Sequence, residues 1–453
     1  MGESTLTTNV APAQPARAAA LFVVLTAHQP WAPSSRHILT GVARVDVRRG
    51  ARGVDRGQDL VLALPDRRLS SLHGRLRLER GRWHVEDLGS KNGVLRNGVA
   101  IAGSAQLDDG DVIEMGRSFF VFRAPRAVAE DEPLDLTADA LPAAPPGLAS
   151  LGLALAARFG ELARAAGSVL PIVLCGETGT GKELAARAVH ALSGRPGPLT
   201  AVNCGALPRS LLESELFGFK KGSFSGALQD RPGLIAASHH GTLFLDEVAE
   251  LPLDGQAALL RVLQECEVLS IGATRAQPVD LRVVSATHRS LEVEVANGRF
   301  RADLYGRLRG LQLVLPALRD RREDLGMIVQ ALLARIAPGG GRTLSHAAAR
   351  ELFTRPWPGN VRELVRALEL ATVMACDDVL ELPGEPGDRA AAPAPGSSDR
   401  RWADERERRA ELELLLREHR GNVTRVARAL GKAREQVHRW IKRAGLDSTN
   451  FRG

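Results

Sequence analysis

Cysteine is scarce in this chain: Cys175, Cys204, Cys266 and Cys376 are all there are in 453 residues. They stand far apart with no CxxC spacing, which argues against a disulfide framework or a thiolate zinc site and leaves buried or free thiols. Long hydrophobic runs are also missing. The longest clean one, Ala18 to Ala27, is about half of the roughly 20 residues that a membrane-spanning helix needs, so no bilayer crossing is expected. No Lys or Arg precedes Arg17 and Glu3 is acidic, a poor match to a secretory signal, which makes the cytoplasm the expected compartment. Lysine is confined to Lys91, Lys182, Lys220, Lys221, Lys432 and Lys442, with arginine filling almost every other cationic position. A surviving lysine can mark a place where a compact point charge is needed, as in a phosphate loop; Lys220 and Lys221 can equally be chance.

What is present describes a multidomain protein. With 44% hydrophobic and 25% charged residues, the length suits two to four folded units at roughly 100–200 residues each. Residues 124–147 and 383–400, rich in Ala, Pro and acid, read as linkers. They separate a unit at 20–123, a unit at 148–382 and a tail at 401–447. The first alternates short β-type runs such as HILTGVARVDV, DLVLAL, LHGRLRLE and RWHVEDL with turn dipeptides at Asn92-Gly93 and Asn97-Gly98, predicting an all-β sandwich. The second alternates apolar strands with helical patterns, LPIVLC then KELAARAVHAL and TLFLDEV then GQAALLRVLQE, predicting an α/β parallel sheet. Residues 401–453 hold 14 basic and 8 acidic side chains, +6 of the chain's +7. Such an excess suits nucleic acid, and a solvated charged helix is the plain alternative.

The chemistry is concentrated in the second unit. GETGTGKE, from Gly176 to Glu183, follows an apolar run and precedes an amphipathic helix. Its glycines Gly176, Gly179 and Gly181 let the backbone amides, including those of Glu177, Thr178 and Thr180, curl around phosphates while Lys182 reaches the β/γ-phosphates. GTLFLDEV ends in Asp246, placed to hold Mg²⁺, and Glu247, placed to activate water. ATP hydrolysis is the leading chemistry. Glu183 stands where Ser or Thr commonly binds the metal.

In order along the chain, GETGTGKE, ESELFGFKKGSFSGA at 213–227, GTLFLDEV, ATHRSL at 286–291, FRADLYGRL at 300–308 and WPGNVREL at 357–364 resemble the AAA+ domain of bacterial enhancer-binding proteins, the sigma-54 activators. In that family the position of Glu183 is ordinarily acidic. The resemblance implies that Arg301 and Arg307 are arginine fingers acting on a neighbouring subunit's γ-phosphate, that Thr287 is the first sensor and that Arg362, in a helical lid, is the second. It also implies a homo-oligomeric ring, a hexamer. For every arginine in this Arg-rich chain surface solvation is the plain alternative, and motif position outweighs it less for Arg319, Arg321 and Arg322 than for Arg301, Arg307 and Arg362. Gly222, Ser223, Phe224, Ser225, Gly226 and Ala227 resemble the family's sigma-contacting loop GAFTGA, with serine replacing Ala and Thr. Residues 20–123 resemble a forkhead-associated (FHA) domain through LSSLHG and DLGSKNG. That implies a phosphothreonine site at Arg49, Ser70 and Asn92, with His73 bracing its loop from inside; Arg48 and Ser71 depart from the family pattern. The tail resembles a Fis-type helix-turn-helix, which implies DNA contacts from Arg434, Gln436, His438, Arg439, Lys442 and Arg443, with Val437, Trp440 and Ile441 packed inward.

The resemblance as a whole implies a sigma-54-dependent regulator. It would bind upstream DNA, hydrolyse ATP with Mg²⁺ in a ring, remodel the closed sigma-54 polymerase holoenzyme complex, and be gated by a phosphothreonine protein. A phosphopeptide-regulated DNA-binding protein, whose ATP site controls only oligomerisation, is the competing expectation.

Overall fold

The computed structural model describes residues 16–383 apart from 143, 144, 146, 207, 225, 226 and 376, and in the tail residues 412–417 with scattered positions from 419 to 447. The chain divides after Leu382 into two compact units.

The expected sandwich is present. One sheet joins Arg17–Thr26, Ser35–Ile38, Val94–Arg96, Val99–Ala100, Val112–Met115, Ser118–Ala127 and Asp135–Thr137; the other joins Arg44–Arg49, Gly53–Arg56, Leu60–Leu64, Gly74–Glu79, Arg82–Asp87 and Ser104–Gln106. Between them lies a core that includes Leu21, Val23, Val45, Leu62, Leu76, Val85, Ile113, Phe120 and Phe122. Asn97 and Gly98 both take positive φ, 51° and 82°, as a tight hairpin turn demands. Asn92-Gly93 differs: the strands on either side of it, Arg82–Asp87 and Val94–Arg96, belong to opposite sheets, so this turn carries the chain across the sandwich.

Two boundaries depart from expectation. The sandwich begins at Arg17 and its last long strand runs to Ala127. Within the expected linker, Asp135–Thr137 pairs antiparallel with Ser35–Ile38. Side-chain chemistry accounts for that short strand: Asp135 accepts hydrogen bonds from His37 at 2.7 Å and from Arg56 at 2.6 and 2.8 Å. Three residues are too few for a strand period to show in the sequence.

The second expected unit is a five-stranded parallel sheet in the order Leu199–Asn203, Thr242–Asp246, Arg282–Thr287, Ile172–Cys175, Leu311–Val314. Apolar clusters cover both faces, which is why these strands read as continuous hydrophobic runs. The carboxyl ends of three adjacent strands, at Cys175, Asp246 and Thr287, deliver the 176–183 loop, the acidic pair and the Thr287 hydroxyl to one edge, where open α/β sheets place their ligands. After the sheet come the helices Leu325–Ile336, His346–Thr354 and Asn360–Met374 of the lid. Ser345 caps the second by accepting from the Ala348 amide at 3.0 Å. The third buries Leu364, Ala367, Leu368 and Ala371, one stripe at helical spacing.

In the second compact unit Leu412, Leu416, Val426, Val437 and Ile441 form a buried cluster with Trp440 packed against it, as expected for the inward-facing residues. Arg434, Gln436, His438, Arg439, Lys442 and Arg443 lie outside the described residues. Among the described residues no helix is long and apolar enough to cross a membrane.

Candidate functional site

A cavity of about 570 Å³ opens at the carboxyl edge of the parallel sheet. Thr178, Gly179, Gly181, Lys182 and Glu183 border it from the phosphate loop, Asp246 and Glu247 from the strand end, and Arg362 from the lid. Gly179 has φ of 81°, and a Cβ there would stand 2.3 Å from the Gly359 carbonyl oxygen, so the lid presses directly on the loop's backbone. Lys182 begins the helix Lys182–Ser193 and is buried. Its Nζ donates to the carbonyls of Gly176 and Glu177 at 2.9 and 3.2 Å and lies 3.9 Å from Glu247.

The acidic pair is built by a backbone kink. Asp246 ends its strand, and Glu247 takes left-handed backbone angles, φ 52° and ψ 48°, turning its side chain out of strand geometry. The Glu247 amide donates to Asp246 Oδ1 at 3.1 Å. Burial, and then the neighbouring Glu247 carboxylate, push the Asp246 pKa above the ordinary carboxylate value. Two hard carboxylates beside a phosphate loop suit a divalent cation whose remaining ligands are phosphate oxygens and water. Among the described residues no group of three His, Cys, Asp or Glu could hold a metal. Glu183 pairs with Arg187 one helical turn on, at 2.7 Å. Thr287 is fully buried, and its Oγ1 accepts from the Arg289 amide at 3.0 Å.

Sequence reasoning missed two residues and underrated two more. His288, directly after Thr287, holds Glu247 through Nδ1 at 2.6 Å. Asn360 is fully buried and joins the lid to the phosphate loop: Oδ1 accepts from the Leu318 amide at 2.8 Å, and Nδ2 donates to Glu177 Oε2 and the Thr178 carbonyl, each at 3.0 Å. Its place inside WPGNVREL, two residues before Arg362, was the available signal. Arg319 is exposed yet paired, and Arg321 is buried rather than solvated. Arg319 pairs with Glu177 at 2.5 and 3.0 Å, and Arg321, buried, donates to the Thr180 carbonyl at 2.8 Å. Hydrogen bonds from Arg319 and then Asn360 lower the Glu177 pKa to about 2.

Arg301 and Arg307 stand outside the cavity. Arg301 is bound to Asp303 at 2.7 and 3.0 Å, and Arg307 reaches the Leu263 carbonyl at 3.3 Å. In the 222–227 loop the Gly222 amide donates to the Ala227 carbonyl at 2.9 Å, closing its base, while Phe224 is 45% exposed and meets Phe219 edge-on at 5.0 Å. Ser223 precedes it; Ser225 and Gly226 lie outside the described residues.

On the sandwich, three further residues gather at one loop cluster. The Ser70 carbonyl accepts from the Arg49 amide at 2.9 Å, Ser70 Oγ accepts from the Lys91 amide at 3.3 Å, and Asn92 Nδ2 donates to the Arg68 carbonyl at 2.6 Å. His73 is buried beneath them, accepting from the Ser70 amide through Nδ1 at 3.1 Å and bonding the Gly93 carbonyl through Nε2 at 3.0 Å, so it braces the loop as expected. Arg49 and Arg68 are exposed.

Comparison with known proteins agrees with this anatomy. The sigma-54 interaction domain matches residues 153–314, the AAA+ ATPase lid domain residues 319–386 and the FHA domain residues 50–116. The response regulator protein PilR of Pseudomonas aeruginosa is 41% identical over 309 residues, covering 65% of this chain and 68% of that protein. The chain belongs to the sigma-54 activator family. Another relative, the acetoin catabolism regulatory protein of Cupriavidus necator, is 44% identical over 343 residues, 72% of this chain and 51% of that one. The chain thus spans about half to two thirds of the length of these two relatives. Among solved structures, NtrX from Brucella abortus in complex with ATP is 32% identical, covers 66% of this chain and 69% of its own, and has a TM-score of 0.48.

Proposed function

We propose that this protein is a sigma-54-dependent transcriptional regulator: it binds upstream DNA through its tail, assembles into a ring, and uses ATP hydrolysis to remodel the closed polymerase complex. One observation carries the reading. Lys182, Asp246, Glu247 and Arg362 converge on one cavity while Arg301 and Arg307 lie outside it, available to another copy's nucleotide.

In that site the loop amides and Lys182 bind the phosphates, and Glu247 orients the attacking water and accepts its proton. Magnesium, held by Asp246 directly or through water, would supply charge neutralisation on the phosphates. Arg301 and Arg307 of an adjacent subunit stabilise the charge that develops as the γ-phosphoryl leaves. The sandwich senses threonine phosphorylation through Arg49, Ser70 and Asn92, with Arg68 and Lys91 adding positive charge around the Ser70 hydroxyl. Phe224 touches sigma-54, and the glycines beside it let the loop follow nucleotide state.

ATPase rate measured against protein concentration, with and without sigma-54 holoenzyme, tests the reading. Cooperative turnover with promoter opening is expected. Turnover without opening would instead favour a DNA-binding protein whose ATP site controls oligomerisation, the outcome that the two serines in GSFSGA would explain.

A further inference from the structure

The outer face of the sandwich is built into the lid. Phe22, Val24, Phe119 and Val121 share one core with Val329, Leu333, Ala348, Leu352 and Phe353. The Phe119 and Phe353 rings stack, with centroids 5.0 Å apart and planes 10° from parallel. A Cβ at Gly326 would stand 1.8 Å from the Val24 carbonyl oxygen, so the lid helix lies on the strand's backbone. The Leu344 amide donates to the Ala27 carbonyl at 2.8 Å. Glu114, only 3% exposed, accepts from His346 at 2.6 Å and from Arg350 at 2.7 and 2.9 Å. Undocking would uncover this apolar face and break the Glu114 bonds to His346 and Arg350, so the lid cannot readily move without the sandwich.

Each end of this body is fastened to a binding loop. At the nucleotide end the joint is Asn360, with the Val361 amide donating to the Gly179 carbonyl at 3.0 Å. At the sandwich end it is Asp66, 1% exposed. One Asp66 oxygen accepts from the Arg68 amide at 2.9 Å; the other accepts from the Arg117 amide at 2.6 Å and the Ser118 hydroxyl at 3.0 Å. Asp66 therefore ties the loop carrying Arg68 and Ser70 to the hairpin that leads into Phe119. Neither Ser70 nor Asn92 belongs to the core that the sandwich shares with the lid, so a peptide bound there need not displace the lid.

We propose that the sandwich and lid move as one body, and that occupancy of the phosphothreonine loops and of the nucleotide cavity are thermodynamically linked through it, with Asp66 and Asn360 as the joints. The proposal rests on the nucleotide and phosphopeptide readings above and adds their coupling. Nucleotide that draws Arg362 inward shifts the lid, and the sandwich must follow. Linkage is reciprocal, so a phosphopeptide that orders the loops changes nucleotide affinity by the same factor.

Hydrogen exchange on the full chain, with and without saturating ADP, tests this. The expected result is exchange slowed about fivefold or more at 176–183, in the lid at 346–374, and also in the sandwich at 66–70 and 112–122. Protection confined to the loop and lid would overturn the coupling and leave the nucleotide reading standing. Absence of protection at 176–183 would overturn both. Asp66→Asn should keep ADP-dependent protection at 112–122 and lose it at 66–70; protection persisting at 66–70 would remove Asp66 as a joint. The wild-type measurement decides the coupling even if that variant fails to fold.

Discussion

Glu247 is held from two sides, by its own left-handed backbone and by His288, and the first pair of predictions follows from that arrangement. Glu247→Gln keeps the shape and removes the base, so ATP turnover should fall by about 10²–10⁴ while ADP binding is retained. His288→Ala should leave ADP affinity within about twofold and lower turnover less than Glu247→Gln does, because it loosens the carboxylate's orientation without removing it. Steady-state turnover alongside ADP titration separates the two. A second residue-scale prediction concerns Asp324, fully buried, accepting from Ser150 Oγ at 2.7 Å and from the Leu151 amide at 2.8 Å. Burial, and then the nearby Glu323 carboxylate, raise its pKa to about 6. A folded-state pKa above the unfolded value of about 3.9 means that stability is greatest below pH 4 as far as this group is concerned, and is lost as pH rises through 6, to the extent of about 2–3 kcal/mol. Asp324→Asn carries no charge, keeps an acceptor oxygen for the Leu151 amide, and sets an NH2 donor against Ser150 Oγ, whose hydroxyl must turn to accept it. Melting curves at pH 5 and pH 8 should show the wild type losing more stability over that interval than the variant.

At the scale of elements, the helix Asn360–Met374 begins with a residue at φ 53°, a conformation that asparagine tolerates better than most side chains. Asn360→Ala would leave the Leu318 amide and the Thr178 carbonyl without their buried partner, at a cost of about 1–3 kcal/mol. Asn360→Asp keeps size and backbone preference but sets a carboxylate against Glu177. We expect both to raise the ADP dissociation constant, with the aspartate worse at neutral pH despite its closer shape. Calorimetric titration checks the order, and an alanine variant weaker than the aspartate would refute the donor role of Nδ2. Much of the element pattern was legible from sequence. The strands and helices of the parallel sheet came from period and length, and the phosphate loop and acidic pair from spacing on a strand end. What escaped was set by long-range partners: the short strand at Asp135 depends on His37 and Arg56, and the strut at Asn360 on a loop far earlier in the chain. Neither leaves a local period to read.

For the whole molecule, the run Ala18 to Ala27 was read from sequence only as too short for a membrane, yet its unbroken apolarity reports a strand buried on both faces, with Leu21 and Val23 in the sandwich core and Phe22 and Val24 against the lid. The fusion of two expected units was thus written in the sequence and visible only once the second face had a partner. The converse holds for Arg301 and Arg307: among the described residues their side chains have the modest partners Asp303 and the Leu263 carbonyl, which leaves them free for the proposed role on a second copy. Mixing supplies the decisive prediction. Lys182→Ala should abolish nucleotide binding and Arg301→Ala should cut turnover by about 10³ or more while sparing binding, since a cationic finger acts on the transition state. In an equimolar mixture, about a quarter of head-to-tail interfaces join an intact phosphate loop of one variant to the intact arginine of the other. Turnover should therefore reappear on mixing, well above the sum of the two variants measured alone. If Arg301 acted within its own chain, every copy would lack one essential group and the mixture would be as inactive as its parts.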